Sequence, residues 1–259
     1  MSRNRRVVVL AGIVVVAVVV AIVVAVLGHS STKSPAHNLT VATTTAATTS
    51  TTPTTGSATT TATTATQPTG PAAVNAIFKG IPQHGDTLGD PAAPVSLLVF
   101  EDPQCPYCDE WSLETLPTVV DEFVRTGKIK LVYRGIEIIG PQSTVGLRAI
   151  VGAGSQNKLW NMNEALYANQ GKENGGWLTS QLVLNLAKDL GLNTTKLVAA
   201  ANSAAVSKAL VAASKEAAAS KVSGTPTFVI LNPPALPKQL NVSSLAPQGF
   251  VESLSAAIG

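Results

Sequence analysis

Cysteine and histidine are scarce in this sequence of 259 residues, which contains two cysteines and three histidines. Both cysteines lie in one stretch, Cys105-Pro106-Tyr107-Cys108. A structural zinc site takes four cysteine or histidine ligands, and no second cysteine pair is present to complete one. A purely structural disulfide here would close a very short loop and restrain little of the unfolded chain. The spacing therefore favours redox exchange, and we expect no metal and no cofactor.

Basic charge is also scarce outside the N-terminus. The formal net charge is +3, from 18 basic and 15 acidic residues, and every acidic residue follows position 85. Four basic residues are N-terminal, Arg3, Arg5, Arg6 and Lys33, and without them 14 basic residues remain against the 15 acidic ones. The remainder of the chain has no excess of basic residues that could bind nucleic acid, so we predict no nucleic-acid partner.

Residues 7–27 contain no charge at all and are almost entirely apolar. A run of about twenty apolar residues can span a bilayer as a helix, and it exceeds the core of a cleaved signal peptide. We interpret it as a retained signal anchor rather than a removed signal. The arginines before it place residues 1–6 in the cytoplasm by the positive-inside rule. This predicts a single-pass protein of the cell membrane whose remaining chain is extracytoplasmic.

Residues 28–75 consist largely of Thr, Ala, Ser and Pro. Such a segment cannot bury enough apolar surface to offset its ordering entropy, so we predict a disordered linker. Residues 76–259 are sufficient for one domain with a core of its own.

The cysteine pair lies between two predicted strands. The short apolar run Pro94–Phe100 is typical of a buried strand, and Lys128–Arg134 alternates like a second one. Between them, helical spacing extends from Pro106 to Arg125, with Pro117 predicting a kink. A short edge strand is predicted around Ala76–Lys79. This strand–helix–strand setting is the one in which a Cys-x-x-Cys pair indicates redox chemistry.

The C-terminal half begins with a long helical block. Four or five helices are predicted between about Ser143 and Lys221, without strand signals. The segment Gly224–Ile230 then places a proline directly before a β-branched strand, as is usual at strand starts. An edge strand near Lys238–Val242 and a last helix over about Pro247–Ala257 complete the prediction.

The local chemistry favours Cys105 as the reactive cysteine. If Cys105 begins the helix, the helix dipole and free N–H groups stabilise its thiolate, which is the form that attacks disulfides. Pro106 suits the first helical turn because its missing N–H has no partner there. Cys108 lies three residues on, on the same face. We expect Cys105 to be exposed and Cys108 to be shielded.

Two motifs together resemble those of DsbA-like thiol–disulfide oxidoreductases, of the membrane-anchored extracytoplasmic type found in Gram-positive bacteria and actinobacteria. The motifs are Phe100-x-Asp102-x-x-Cys105-Pro106-x-Cys108 and Gly224-Thr225-Pro226-Thr227-Phe228. The resemblance covers roughly residue 81 to the C-terminus. It implies an α/β protein with a thioredoxin fold and an inserted helical domain at about residues 141–222, here preceded by the transmembrane helix and linker.

The resemblance also implies roles for the site residues. Cys105 would be the nucleophile and Cys108 the resolving cysteine of a redox-active disulfide. Pro226 would be the cis-proline that faces this disulfide, and Thr225 would hydrogen-bond a substrate backbone. The other residues that would support the site are Pro106 and Tyr107.

The sequence departs from the family pattern at two places. The buried acid of thioredoxins lies six residues before the first cysteine, which is Val99 here. Glu101 or Asp102 could replace it, although either could equally be exposed at a strand end. The dipeptide between the cysteines has no histidine to stabilise the thiolate, so we expect a less extreme pKa for Cys105 and a less oxidising disulfide.

The expected function is donation of disulfides to the thiols of secreted or cell-surface proteins. The resemblance suggests reoxidation by a quinone-linked membrane protein of the DsbB or VKOR type. A reductase or isomerase with the same site is the first alternative, because the motif does not fix the direction of electron flow. A non-enzymatic dithiol metal-binding module is the second, although no Met or His cluster supports copper.

Overall fold

The computed structural model describes residues 70–259. The predicted cytoplasmic tail (1–6), the predicted anchor (7–27) and most of the predicted linker (28–75) lie outside these residues. Within residues 70–259, no single helix has the length and apolar composition needed to cross a membrane. One pair of consecutive helices, bent by 56° between Thr194–Ala201 and Ala204–Ala219, meets both conditions only when taken together.

A six-stranded mixed sheet forms the centre of the described chain, in the order β1-β2-β4-β3-β5-β6. Its strands are β1 (Gln83–His84), β2 (Thr87–Leu88), β3 (Val95–Glu101), β4 (Ile129–Gly135), β5 (Thr227–Leu231) and β6 (Lys238–Gln239). β3 runs parallel to β4 and antiparallel to β5. Because β3 is paired on both sides and covered on both faces, its sequence is a continuous apolar run rather than an alternating one.

Eight helices surround the sheet in residues 70–259. They are α1 (Pro71–Ile77), α2 (residues 106–124), α3 (Ser143–Ala153), α4 (Leu159–Tyr167), α5 (Ser180–Asp189), α6 (Thr194–Ala201), α7 (Ala204–Ala219) and α8 (Pro247–Ile258). Helices α3 to α7 lie between β4 and β5 in the chain, where the helical insertion is predicted. The last three of them begin at polar N-caps, Thr179, Asn193 and Ser203, whose side chains accept a backbone N–H three residues on.

Helix α2, which follows the first cysteine, is not uniformly α-helical. It consists of α-helical Pro106–Glu110, a π-helical turn Trp111–Thr115, α-helical Leu116–Val119 and a second π-helical turn Val120–Val124. The first π-helical turn ends two residues before Pro117, which has no N–H for the helical ladder. The ladder is thus interrupted next to Pro117, where the sequence predicts a kink.

The start of the described chain corrects one prediction. The segment predicted as an edge strand, Ala76–Lys79, overlaps the end of helix α1 instead. Pro71 occupies the beginning of that helix, a position that suits proline. The Val74 side chain is buried, so the helix packs this apolar residue against the core. Arg125 then fixes the helix end, donating to the carbonyl oxygen of Ile77. Regular structure therefore begins before the predicted domain boundary at residue 76.

The core lies on both faces of the sheet because β3 alternates between them. Leu97 and Val99 belong to the larger cluster, which also contains Trp111 of α2. Leu98 and Phe100 belong to a smaller cluster under α7. In the larger cluster, the ring of Trp111 lies 4.9 Å from that of Phe228 and 5.6 Å from that of Phe250, centroid to centroid. These aromatic contacts hold α2 against β5 and α8.

Asp102 joins the end of β3 to the beginning of the helical insertion. Its Oδ1 accepts from the backbone N–H of Gln104 (2.9 Å) and from the Ser143 hydroxyl (2.6 Å). Its Oδ2 accepts from the backbone N–H groups of Ile138 (2.8 Å) and Ile139 (2.9 Å). The side chain is fully buried. One carboxylate therefore satisfies four donors from three segments, and the interpretation of Asp102 as an exposed residue is wrong.

Replacing Asp102 by Ala should lower the free energy of unfolding by about 3 kcal/mol, because four donors lose the acceptor that they share. The control is Asp90→Ala, since Asp90 is exposed and accepts one backbone N–H, from Ala92 at 2.8 Å. The Asp90→Ala change should lower the free energy of unfolding by less than about 1 kcal/mol. Equilibrium denaturant unfolding measures both, and equal losses would contradict the assigned role of Asp102.

Candidate active site

Cys105 lies at the N-terminus of α2. It is the N-cap residue, with extended backbone angles (φ −75°, ψ 120°), and Pro106 occupies the first helical position. The N–H groups of Cys108 and Asp109 both donate to the Cys105 carbonyl oxygen over 3.1 Å. The two cysteines thus share the opening turn of the helix, as the spacing predicts.

Both cysteines are free thiols and both are buried. Cys105 is 3% exposed and Cys108 is not exposed at all, whereas Tyr107 between them is 62% exposed. The expectation of an exposed Cys105 is therefore wrong. The cause is the loop before β5, because Cys105 Sγ donates to the carbonyl oxygen of Thr225 over 3.1 Å and is covered from that side.

The second wall of the site comes from residues more than a hundred positions away in the sequence. The Thr225–Pro226 peptide bond is cis, as the resemblance implies for Pro226. It directly precedes β5, and β5 pairs antiparallel with β3, with Thr227 opposite Phe100. This register places the Thr225–Pro226 loop beside the chain that leaves β3 toward Cys105.

The pKa of Cys105 is lowered from 9.0 to about 6. The largest cause is a hydrogen bond from the Cys108 thiol, which stabilises the Cys105 thiolate; burial opposes it. The Thr225 side chain and the backbone N–H groups of Cys108 and Tyr107 lower the pKa further. The first cysteine is therefore largely a thiolate at neutral pH, without a histidine in the motif.

The pKa of Cys108 is shifted in the opposite direction, well above its usual range. Burial is the largest cause, followed by the hydrogen bond that its thiol makes to Cys105 and by the negative charge of Glu101. The pKa values of two thiols on one helical turn are thus shifted in opposite directions. Cys105 has the properties of an attacking thiolate, and Cys108 those of a group that keeps its proton.

Glu101 is buried beneath this turn. Its pKa is raised well above the usual range, chiefly by burial and next by the charge of Glu164. Asn163 Nδ2 donates to Glu101 Oε2 over 3.1 Å. The interpretation of Glu101 as an exposed residue is therefore wrong, and a buried acid is present although Val99 occupies the usual position.

Within residues 70–259, no group of three or more His, Cys, Asp or Glu side chains is arranged to hold a metal ion.

The helical insertion supplies contacts that the sequence reasoning missed. The Tyr167 hydroxyl donates to the Asp102 carbonyl oxygen over 3.2 Å, and Gln170 Nε2 donates to the carbonyl oxygens of Pro103 (3.0 Å) and Cys105 (3.1 Å). Tyr167 is the last residue of α4, and Gln170 lies just beyond the end of that helix. No local pattern links either residue to the cysteines, so sequence reasoning had no signal for these contacts.

Comparison with known proteins agrees with this geometry. A protein-family model described as thioredoxin matches residues 83–233. The probable disulfide bond formation protein D of Bacillus anthracis is 31% identical over 105 residues, which cover 40% of this chain and 48% of that protein. The chain thus spans about half the length of the curated relatives it matches.

Solved structures show the same fold over a larger part of the chain. Oxidised BdbD from Bacillus subtilis aligns with a TM-score of 0.57 and 20% identity, covering 69% of this chain and 94% of that one. A thioredoxin-like oxidoreductase from Silicibacter pomeroyi aligns with a TM-score of 0.51 and 26% identity, covering 71% and 96%. With the family model matching more than half of its residues, this chain belongs to the thioredoxin family, and five helices are inserted between its strands β4 and β5.

Proposed function

We propose that this protein is a thiol–disulfide oxidoreductase that introduces disulfides into substrate proteins through Cys105 and Cys108. The observation that carries the proposal is the opposite shift of the two cysteine pKa values within one helical turn. The similarity to proteins named for disulfide bond formation supports the same conclusion.

The reaction begins with the Cys105–Cys108 disulfide. A substrate thiolate attacks Cys105 Sγ, the disulfide breaks, and its electron pair leaves on Cys108 Sγ, which takes up a proton. A second substrate thiolate attacks the substrate sulfur of the mixed disulfide and releases Cys105 as a thiolate. The substrate has then lost two electrons to the cysteine pair. In the reverse direction Cys105 attacks a substrate disulfide and Cys108 displaces the reduced product.

The surroundings of Cys105 fit an extended substrate peptide. The Thr225–Pro226 loop is half-buried and lies against Cys105 Sγ. A peptide laid beside Thr225 would hydrogen-bond its backbone as an added strand does. Tyr107, between the two cysteines, is 62% exposed. Ile138, in the loop after β4 that Asp102 holds, is 44% exposed. These side chains are the proposed contacts for apolar substrate residues.

The oxidase direction is supported by the low pKa of Cys105. Stabilising the thiolate stabilises the reduced pair, which makes the disulfide a better oxidant. The shift to about 6 is moderate, in keeping with a motif that lacks histidine. Reductase or isomerase activity at the same residues is the alternative that the test below separates.

The location and partners belong to the proposal as well. We retain residues 7–27 as a membrane anchor, 28–75 as a linker and 76–259 as an extracytoplasmic domain. The substrates are then thiols of secreted or cell-surface proteins. Reoxidation requires an electron acceptor, for which a quinone-linked membrane protein of the DsbB or VKOR type is proposed. Tethering both proteins to one membrane would raise their effective concentration.

Replacing Cys105 by Ser should abolish thiol–disulfide exchange, because no other thiolate of low pKa is available at the helix start. Replacing Cys108 by Ser should instead let the mixed disulfide accumulate, since the displacing thiol is lost. Non-reducing electrophoresis of the reduced variants with a disulfide-containing substrate protein measures both outcomes. Appreciable exchange in the Cys105→Ser variant would refute the proposal.

The pKa of Cys105 should depend on a hydrogen-bond donor at position 108. In reduced wild-type protein, the rate of Cys105 alkylation should rise through a midpoint near pH 6. In Cys108→Ala the midpoint should move up toward the ordinary thiol value of 9.0, because the largest lowering contribution is gone. Cys108→Ser keeps a donor and should stay near wild type. Equal midpoints in the two variants would contradict this account.

The direction of exchange can be tested with two substrates in parallel. The oxidised full-length chain should accelerate refolding of a reduced disulfide-containing protein. The reduced chain, kept reduced by dithiothreitol, should reduce insulin poorly. The equilibrium constant of the cysteine pair with glutathione gives the reduction potential in the same preparation. A potential near that of thioredoxin, about −270 mV, would make the protein a reductase.

A further inference from the structure

The chain between β3 and α2 is hydrogen-bonded to the helical insertion at each of its residues. We call it the active-site loop, and its residues are Asp102, Pro103, Gln104 and Cys105. The Ser143 hydroxyl of α3 donates to Asp102 Oδ1 and accepts from Gln104 Nε2 over 2.9 Å. The carbonyl oxygens of Pro103 and Cys105 accept from Gln170. The insertion therefore contacts the loop along its whole length.

Gln170 is the insertion residue that reaches the Cys105 backbone. Its Nε2 donates to the carbonyl oxygen of Pro103 over 3.0 Å and to that of Cys105 over 3.1 Å. A carboxamide nitrogen carries two hydrogens, so both are used. The two carbonyl groups lie on either side of the peptide bond between Gln104 and Cys105. One side-chain amide therefore restricts the backbone rotations of Gln104 and Cys105.

The backbone around Gln170 is itself held in place. The N–H of Gln170 donates to the carbonyl oxygen of Tyr167, at the end of α4, over 2.9 Å. Four residues further on, the N–H of Asn174 donates to Gln104 Oε1 over 2.8 Å. We call residues 168–179, between α4 and α5, the strap. The strap is thus bound to α4 on one side of Gln170 and to the active-site loop on the other.

The position of the Cys105 backbone determines which donors its sulfur can reach. The groups that lower the pKa of Cys105 are the Cys108 thiol, the Thr225 side chain and the backbone N–H groups of Cys108 and Tyr107. All of them belong to the helix start or to the loop before β5. Hydrogen bonds weaken steeply with distance and misalignment, so each of these depends on where the Cys105 backbone directs Sγ. Gln170 can influence all of them at once through that backbone.

We propose that Gln170 is a positioning residue for Cys105. By holding the carbonyl groups of Pro103 and Cys105, it keeps Sγ directed at the donors of the helix start and of the Thr225 loop. The helical insertion thereby helps to set how readily the cysteine pair oxidises a substrate. This inference rests on the proposed function, and its distinctive part is that Gln170 acts on the sulfur through the Cys105 backbone.

The charges around Cys105 stay constant when Gln170 is replaced by a neutral residue. The titratable side chains coupled to Cys105 lie on three elements, and they are Cys108 of α2, Glu101 of β3 and Tyr167 of α4. The strap also carries Lys172 and Glu173, which are both exposed. Replacing Gln170 by Met leaves every one of these groups in place. A change in the pKa of Cys105 in that variant therefore reports hydrogen-bond geometry rather than charge.

The test compares Gln170→Met with Gln239→Met in the full-length chain. Met has nearly the length of Gln but no N–H to donate. Gln239, on the edge strand β6, is a matched control because its Nε2 also donates to two carbonyl oxygens, those of Ser220 (2.7 Å) and Lys221 (3.3 Å). The rate of Cys105 alkylation is measured against pH. The equilibrium constant of the cysteine pair with glutathione is measured at pH 8.

In Gln170→Met the alkylation midpoint should move up by about one pH unit, because the thiolate loses well-directed donors. Above the midpoint the rate should be about 3-fold higher than in wild type, since a more basic thiolate is a better nucleophile. At pH 8 the equilibrium with glutathione should shift about tenfold toward the Cys105–Cys108 disulfide, because the reduced pair has lost thiolate stabilisation. Gln239→Met should match wild type in all three measurements.

Denaturant unfolding of both variants separates positioning from a purely structural role. A structural role alone would lower the free energy of unfolding of Gln170→Met and leave its alkylation midpoint unchanged. That result would overturn the inference, as would an equal shift of the midpoint in Gln239→Met. If the wild-type chain itself exchanges no disulfides, the proposed function is refuted instead.

A second variant decides if Gln170→Met does not fold. Gln170→Glu keeps the shape of the side chain, and its ionised carboxylate donates no hydrogen bond. Its alkylation midpoint should rise by more than about one pH unit, because the carboxylate also repels the Cys105 thiolate. A midpoint equal to that of wild type in this variant would overturn the inference.

Discussion

The antiparallel pairing of β3 with β5 is the constraint on which the site depends. β3 leads into the Cys105 turn, and β5 is preceded by the cis Thr225–Pro226 bond. Their register brings a carbonyl oxygen to 3.1 Å from a sulfur that is 120 residues away in the chain. The burial of Cys105 follows from this approach, whereas its lowered pKa comes chiefly from the Cys108 thiol on the same helical turn. The pairing is in turn held by the aromatic contacts between α2, β5 and α8.

The helical insertion is more than a cover for one face of the sheet. It is tied to the end of β3 through Asp102 and Ser143, and it contributes Tyr167 and Gln170 to the backbone around the cysteines. It also places Glu164 beside Glu101 in the core. The insertion therefore contributes to the burial of Glu101, whose charge raises the pKa of Cys108.

Most of the architecture was accessible from local patterns. The strand before the cysteines, α2 and the helical block were predicted because apolar periodicity and proline positions are local signals. Ala76–Lys79 was misassigned because three apolar residues followed by a lysine have no distinctive period, and the helix end there depends on the contact with Arg125. Glu101 and Asp102 could not be assigned as buried, since a strand end is exposed or enclosed according to what later segments place over it.

The sequence by itself determined the pairing of the two cysteines, their place at a helix start, the proline before β5 and the thioredoxin family. Each of these is encoded within a few adjacent residues. Only the tertiary structure decided how the cysteines differ in pKa, why Cys105 is covered, and which acid lies beneath Cys108. The cover over Cys105 comes from Thr225, which is 120 residues away. The pKa values of Cys108 and Glu101 are raised chiefly by burial, and burial depends on which distant segments pack over a residue in space.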